Sequence, residues 1–212
     1  MKFLVTGATG FIGKPLVQEL IKQNFNTSIV IRHNTNLFND KVKQFLVSDF
    51  SKTPDFSESL KDIDCVIHLA AKAHVLDKSK KSNFVCLKKI NTDLVVILAK
   101  QAITAGVKRL IYLSSIGVNG NQTDKPFLEN DIPNPQGAYA ISKYEAEQEL
   151  LKLAKINNLE VVIIRPPLVY GKNAPGNFAR LTKWARAKFL VPLPLGAVNN
   201  VNSSLIIGPI QE

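Results

Sequence analysis

The sequence predicts an α/β fold, a doubly wound parallel sheet with helices on both faces. Three observations lead to it. Short apolar runs alternate with longer amphipathic stretches along most of the chain, the pattern of strands buried on both sides and covered by helices. The first run, Lys2-Phe3-Leu4-Val5, passes through a glycine-rich turn into the amphipathic stretch from Pro15 to Ile21. Later runs end in small or hydroxyl-bearing residues, Ala70-Ala71 and Ser114-Ser115, at the carboxyl ends of strands, where open α/β sheets place their ligands. A chain of 212 residues with 45% hydrophobic content suits one such domain, or one domain and part of a second.

The turn reads Thr6-Gly7-Ala8-Thr9-Gly10-Phe11-Ile12-Gly13. Gly7 permits a sharp departure from the strand, Gly10 lets backbone approach a pyrophosphate, and Gly13 lets the helix lie close to the strand. The helix start, with Phe11 and Ile12, offers N–H groups and a partial positive charge to phosphates. Strand, turn and helix in this order predict a dinucleotide cradle, although the spacing is G-x-x-G-x-x-G rather than G-x-G-x-x-G.

The second strand is expected at 28–32. Its end carries Arg32-His33 where an acid for a ribose 2′-hydroxyl is usual, and an Arg there accepts a 2′-phosphate. NADP is therefore favoured over NAD, with a surface Arg as the plain alternative. A third strand at 44–47 leads to Asp49-Phe50, which fits the flank of an adenine or a helix cap. The fourth, at 64–71, runs into Leu69-Ala70-Ala71, small enough for a cofactor to lie against the strand end. His68 and His74 read as hydrogen-bonded structural residues rather than ligands. A helix over 84–105 has an apolar face broad enough for burial against the sheet or for a homodimer interface, and Gly106 ends it. The fifth strand, 109–115, delivers Ser114-Ser115. A polar loop follows over 119–136, then a helix headed by Tyr139-Ala140-Ile141-Ser142-Lys143, then a sixth strand at 161–165 stopped by Pro166-Pro167. Beyond Gly171 the character changes to a loop, a basic helix over 179–188 and an extended segment at 191–196.

Tyr139 and Lys143, four apart, share one helical face. A phenol ionises at about 10, and an ammonium one turn away favours the phenolate. Ser115 stands where its hydroxyl can share the proton and hold a substrate oxygen. With a nicotinamide on the glycine turn, this set suits proton and hydride transfer between a carbinol and a carbonyl.

The chain resembles an extended short-chain dehydrogenase/reductase of the nucleotide-sugar epimerase/dehydratase family, with its Rossmann-type sheet. The matching residues are Thr6 to Gly13, His68-Leu69-Ala70-Ala71, Asn91, Leu113-Ser114-Ser115, Tyr139-x-x-x-Lys143 and Arg165-Pro166-Pro167-Leu168-Val169-Tyr170-Gly171. The resemblance implies Tyr139 as acid/base, Lys143 also on the nicotinamide ribose, Ser115 on the sugar hydroxyl and Pro166 beside the cofactor. It implies Asn177 at the nucleotide-sugar diphosphate and Pro192 and Leu193 by the uracil. Ser114-Ser115-Ile116-Gly117-Val118-Asn119-Gly120 resembles a bacterial surface-polysaccharide branch of UDP-N-acetylhexosamine 4-epimerases and 4-keto-reductases. Ile116-Gly117 stand where dehydratases carry an Asp-Glu pair, which disfavours dehydration. Members of the family continue beyond the point where this chain ends, and 198–212 departs from the pattern. The expectation is a dinucleotide-binding domain over 1–171 and a partial, C-terminally truncated substrate segment over 172–212. Its alternatives are a dinucleotide-binding remnant with little turnover, or an NADP-sensing regulator that would have no need of Ser115, Tyr139 and Lys143.

Composition narrows the partners. The net charge of +10 comes from scattered lysines with no interleaved aromatics, which suits an anionic cofactor and substrate rather than nucleic acid. Cys65 and Cys86 have no metal-ligand spacing and read as buried thiols. No apolar run reaches spanning length, and the first strand begins at once, so the expectation is a cytoplasmic chain without membrane insertion.

Overall fold

The computed structural model describes residues 1–38, 40, 42–47, 50, 53–73, 80–171, 174 and 204–206. Six parallel strands form one sheet in the order β3-β2-β1-β4-β5-β6. They are β1 (Lys2–Thr6), β2 (Asn26–Ile31), β3 (Lys43–Leu46), β4 (Cys65–His68), β5 (Arg109–Leu113) and β6 (Glu160–Ile164). The order reverses between β1 and β4, so their carboxyl ends flank the crevice where such sheets bind ligands. The doubly wound sheet expected from the sequence is present, with boundaries moved by up to three residues, the most at the end of β4.

Alternation along the strands sorts the core into two layers. Leu4, Val30, Val66, Leu110 and Tyr112 point to one face and pack with Leu94, Leu98 and Ala102 of α4 (Leu94–Thr104) and with Ala146 and Leu150 of α5 (Gly137–Ile156). Phe3, Val5, Ile29, Ile31, Cys65 and Ile67 point to the other and pack with Val17 of α1 (Gly13–Lys22). β1 and β2 are therefore buried at every position after the first, and β4 along its whole length, because both of their faces are covered. Burial pushes the Cys65 thiol up to about 11, while Cys86 is half-buried with its Sγ 3.3 Å from Lys72 Nζ. The expectation of two buried thiols thus holds for Cys65 alone.

The helix expected over 84–105 begins earlier and is interrupted. It runs as α3 (Lys80–Lys88), a π-turn (Lys89–Asp93) and α4. The extra residue of the π-turn accompanies burial of Asn91 and Thr92, two polar side chains that a regular amphipathic pattern would not place inside. α4 then buries Leu94, Val95, Leu98, Ala99 and Ala102, and Gly106 follows its end at φ +76°, a left-handed position that suits glycine. A single-turn helix, α2 (Ser57–Leu60), and a separate two-stranded parallel pair, β7 (Leu168–Tyr170) with β8 (Ser204–Ile206), were not legible in the sequence. The basic helix expected over 179–188 and the segment at 191–196 lie outside the described residues.

Candidate active site

Two groups of residues meet at the carboxyl edge of the sheet. The first is the glycine turn between β1 and α1. Gly7 has φ +72°, and a Cβ there would stand 2.6 Å from Ala70 N. A Cβ on Gly13 would stand 2.1 Å from Gly7 O. Both positions are closed by backbone, so the close passage of α1 over β1 and β4 requires glycine. Gly10 differs: a Cβ there would meet only Gly7 O, at 3.2 Å. Its outer side is open, as the approach of a pyrophosphate requires. At the entry of α1, Lys14 N donates to Gly10 O at 3.0 Å and Leu16 N to Ile12 O at 3.3 Å, and Pro15 has no N–H, so the amides left for a ligand are those around Phe11 and Ile12. The residues present thus fit the phosphates of a dinucleotide.

The end of β4 completes this side. Leu69 N donates to Thr6 O at 3.2 Å and Ala70 N to Thr6 Oγ1 at 3.4 Å, which sets Leu69-Ala70-Ala71 beside the turn. His68 is buried with Nδ1 2.8 Å from Thr6 Oγ1, in the structural role expected of it. Its Nε2 has no partner among the described residues. Burial, aided by the nearby Lys143 charge, pushes the imidazole down to about 3, so the ring is neutral. Phe50 packs on Phe56 at 6.4 Å between ring centroids. Arg32 is exposed just past β2, with no hydrogen bond or ion pair among the described residues. Asp49 and His74 lie outside the described residues.

The second group stands at the ends of β5 and β6 and on α5. Ser114 N donates to Ile164 O at 2.7 Å, and Ile116 N to the carbonyl of buried Pro166 at 3.0 Å. The two strand exits therefore run side by side. Ser115 caps the short turn Ile116–Val118, its Oγ accepting from Gly117 N at 3.2 Å. Gly117 in turn lies against α5: a Cβ there would stand 3.4 Å from Ser115 Oγ and 3.5 Å from Ala140 Cβ. This brings Ser115 to the first turn of the helix that carries Tyr139 and Lys143.

Lys143 is 1% exposed. Its Nζ sits 4.2 Å from the centre of the Tyr112 ring, whose hydroxyl donates to Asn91 O at 3.3 Å. Burial pushes the Lys143 ammonium down to about 7, and the Glu147 charge works against that. Burial raises the Tyr139 phenol above its ordinary value, and Lys143 contributes no opposing shift to it. The sequence led us to expect the phenol lowered by Lys143; with the ammonium over Tyr112, desolvation governs.

The π-turn holds this arrangement from below. Asn91 Nδ2 donates to Ser142 Oγ and to Lys72 O, both at 3.0 Å, and its Oδ1 accepts from Lys72 N at 2.8 Å. Thr92 Oγ1 donates to Ser142 O at 2.8 Å. Glu147 and Arg165 form the other support, and their roles were missed by sequence reasoning. Glu147 is fully buried; its carboxylate accepts from Arg165 Nε at 3.0 Å, from Arg165 Nη2 at 2.5 Å and from the Ser114 hydroxyl. Arg165 Nη1 donates to Asn119 Oδ1 at 3.1 Å. A signal was available: an acid one turn beyond Lys143, on a face that must be buried, requires a cation. Asn177, Pro192 and Leu193 lie outside the described residues.

Residues 3–199 match the model of the NAD dependent epimerase/dehydratase family. The chain belongs to this family. It is 41% identical over 206 residues to a UDP-glucose 4-epimerase of Vibrio cholerae, covering 96% of this chain and 62% of that one. It is 29% identical over 212 residues to N-acetyl-alpha-D-glucosaminyl-diphospho-ditrans,octacis-undecaprenol 4-epimerase of Escherichia coli O157:H7, covering 99% of this chain and 60% of that one. Among solved structures, MoeE5 in complex with UDP-glucose and NAD superimposes with a TM-score of 0.77 at 29% identity, over 89% of this chain and 62% of that one. The chain thus spans about three fifths of the length of these members of the family. Among the described residues no helix is long and apolar enough to cross a membrane.

Proposed function

We propose that the chain is an NAD(P)-dependent oxidoreductase of UDP-sugars working at C4, as a 4-epimerase or 4-keto-reductase of the UDP-N-acetylhexosamine type in surface polysaccharide synthesis. The observation that carries the reading is the packing of the turn that Ser115 caps against the first turn of α5, the helix of Tyr139 and Lys143, at the same sheet edge as the glycine turn. The Vibrio 4-epimerase and the UDP-glucose and NAD held by MoeE5 support it. NAD is the cofactor of that neighbour; Arg32 is the argument for NADP.

In this reading the nicotinamide supplies a hydride acceptor or donor. Tyr139, as phenolate, takes the proton from the C4 hydroxyl while the Ser115 hydroxyl holds the same oxygen. The reading requires a charged Lys143 to offset the desolvation of Tyr139, an offset that the present arrangement, with the ammonium over Tyr112, does not supply. Asp49, Phe50 and Leu69 to Ala71 would line the adenosine side, and Asn177, Pro192 and Leu193 the nucleotide of the substrate. The test is incubation with NAD(H) or NADP(H) and a panel of UDP-sugars and UDP-4-keto-sugars, with product analysis. We expect turnover that Tyr139→Phe lowers by about 10²-fold or more without moving the melting temperature. Turnover that survives Tyr139→Phe would refute the assignment.

The share of relatives covered supports a second reading, a chain that binds the dinucleotide and turns over UDP-sugars poorly. Cofactor binding without product in the same assay would select it. A homodimer through 84–105 belongs to the same proposal and predicts twice the chain mass in light scattering.

A further inference from the structure

Glu147 is the least expected group in the molecule. A carboxylate fully removed from water, in a helix, is stable only with compensating charge and hydrogen bonds. Here Arg165 supplies both, through Nε and Nη2, and the Ser114 hydroxyl adds a third donor. The three groups come from α5, from the chain just past β6 and from the chain just past β5. Ser114 precedes Ser115, and Lys143 lies one helical turn before Glu147. One buried ion pair therefore joins the segments that carry Ser115, Tyr139 and Lys143.

We propose that Glu147 is a positioning residue, which locks the exits of β5 and β6 onto α5 and, one turn beyond Lys143, holds that side chain as an ammonium ion on the helix that carries Tyr139. The inference rests on the reading of Tyr139 and Lys143 as the acid/base pair. The groups that face Lys143 are His68 from β4, Tyr112 from β5 and Glu147 from α5, with Arg165 beyond Glu147 and Tyr139 one turn earlier on α5. His68 is neutral, and Tyr112 is held neutral by burial, its phenol pushed above its ordinary value. Tyr139 is likewise raised. Glu147 is thus the anion of this set, and Arg165 is the cation that neutralises part of it. The same pair explains a division of labour: Arg165 lets the carboxylate exist in the interior, and what remains of its charge acts on Lys143.

Two substitutions should then move Lys143 in the same direction. Glu147→Gln removes the anion and makes the ammonium easier to deprotonate. Arg165→Gln removes the cation that lets the carboxylate exist in the interior, so Glu147 takes up a proton and its hold on the ammonium is lost as well. The measurement is an NMR titration of the full chain with ¹³C-labelled lysine, the Lys143 signal assigned by its loss in Lys143→Arg. We expect the midpoint to fall by about one pH unit in Glu147→Gln and to fall in Arg165→Gln, whereas Arg165→Lys, which keeps the cation, leaves it near the wild-type value. A purely structural role would not move the Lys143 midpoint in a folded variant. Equal midpoints in the wild type, Glu147→Gln and Arg165→Gln would overturn the proposal. Should Glu147→Gln fail to melt cooperatively, the partly exposed Arg165 position carries the test, and the absence of a downward shift there overturns it.

Activity gives a second arm. With UDP-sugar and NAD(H), Glu147→Gln should lower kcat about tenfold with KM little changed, and its basic limb should move to lower pH. Unchanged kcat and pH profile in a folded variant would also overturn the proposal. Absence of wild-type turnover would count against the function proposed for this chain, whereas the Lys143 titration would still decide the role of Glu147.

Discussion

Around the glycine turn the constraint is space: a Cβ on Gly13 would stand 2.1 Å from one carbonyl oxygen, and one on Gly7 2.6 Å from a backbone nitrogen. Around Lys143 the constraint is charge. A buried ammonium, a buried carboxylate and a guanidinium are held by an aromatic face and by hydrogen bonds between strand exits. The two regions face the same crevice yet fail in different ways. The first is broken by adding a carbon atom, the second by removing a charge. The exposed pairs elsewhere, such as Lys88 with Glu145, are worth about 0–1 kcal/mol each. Removing one partner of a buried pair such as Glu147–Arg165 costs about 3–5 kcal/mol, so the charged half of the site is also where α5 is fastened to the sheet.

The largest effect is expected where space is shortest. Gly13→Val places two methyl groups where even one carbon overlaps Gly7 backbone, and backbone cannot yield as a side-chain tip can. We expect no cooperative thermal transition for this variant, measured by circular dichroism. A melt within a few degrees of the wild type would show that α1 can move away from β1, and that the turn is looser than its geometry implies.

Gly10→Val sharpens the same contrast. The contact at 3.2 Å with Gly7 O is tight but single, so the fold should survive with a modest loss of stability. What is lost is the open side of the turn. NADH or NADPH titrated by fluorescence should bind at least about tenfold more weakly, because a branched side chain occupies the phosphate approach. Equal affinity in a folded Gly10→Val protein would remove the turn from the cofactor site.

These two glycines mark how far the sequence could be read. Strand, turn and helix were legible because Gly7, Gly10 and Gly13 sit between an apolar run and an amphipathic one, a local pattern. The Tyr139/Lys143 face was legible for the same reason: its spacing is helical. Glu147 with Arg165 was legible only in part: the acid's place one turn beyond Lys143 on a buried face called for a cation, but its partner lies 18 residues on, through a buried contact that no local pattern points to. The π-turn was hidden similarly. Asn91 stood out in the family pattern, but the bulge that turns it toward Ser142 and Lys72 arises from tertiary hydrogen bonds. The β7/β8 pair joins segments more than 30 residues apart, beyond the reach of periodicity.

A smaller effect separates the two regions by pH. His68 lies between them, bonded to Thr6 on one side and stacked at 6.0 Å on Tyr112 on the other. Its imidazole falls from 6.5 to about 3 on folding. The unfolded chain therefore binds a proton between those values that the folded chain refuses, and stability is lost as pH drops through that window. His68→Gln removes this contribution, and its melting temperature should fall less steeply with acid than that of the wild type. Parallel slopes would mean that the buried ring finds a partner for its proton and is not neutral.

The smallest effect belongs to Arg32, and its size follows from its exposure. The side chain stands in solvent past β2 without a partner among the described residues. An exposed charge pairing with a phosphate contributes about 0–1 kcal/mol, so it can bias the choice of cofactor by no more than about fivefold. Arg32→Ala should weaken NADPH within that limit and leave NADH unchanged, because only the former carries a 2′-phosphate. Parallel fluorescence titrations at low and high salt would show the NADPH preference shrinking as salt screens the pair. If both affinities fall together, Arg32 supports the adenosine side as a whole; if neither moves, selection between the two cofactors is made elsewhere. The glycine turn would then supply affinity common to both, in keeping with a region governed by space rather than by charge.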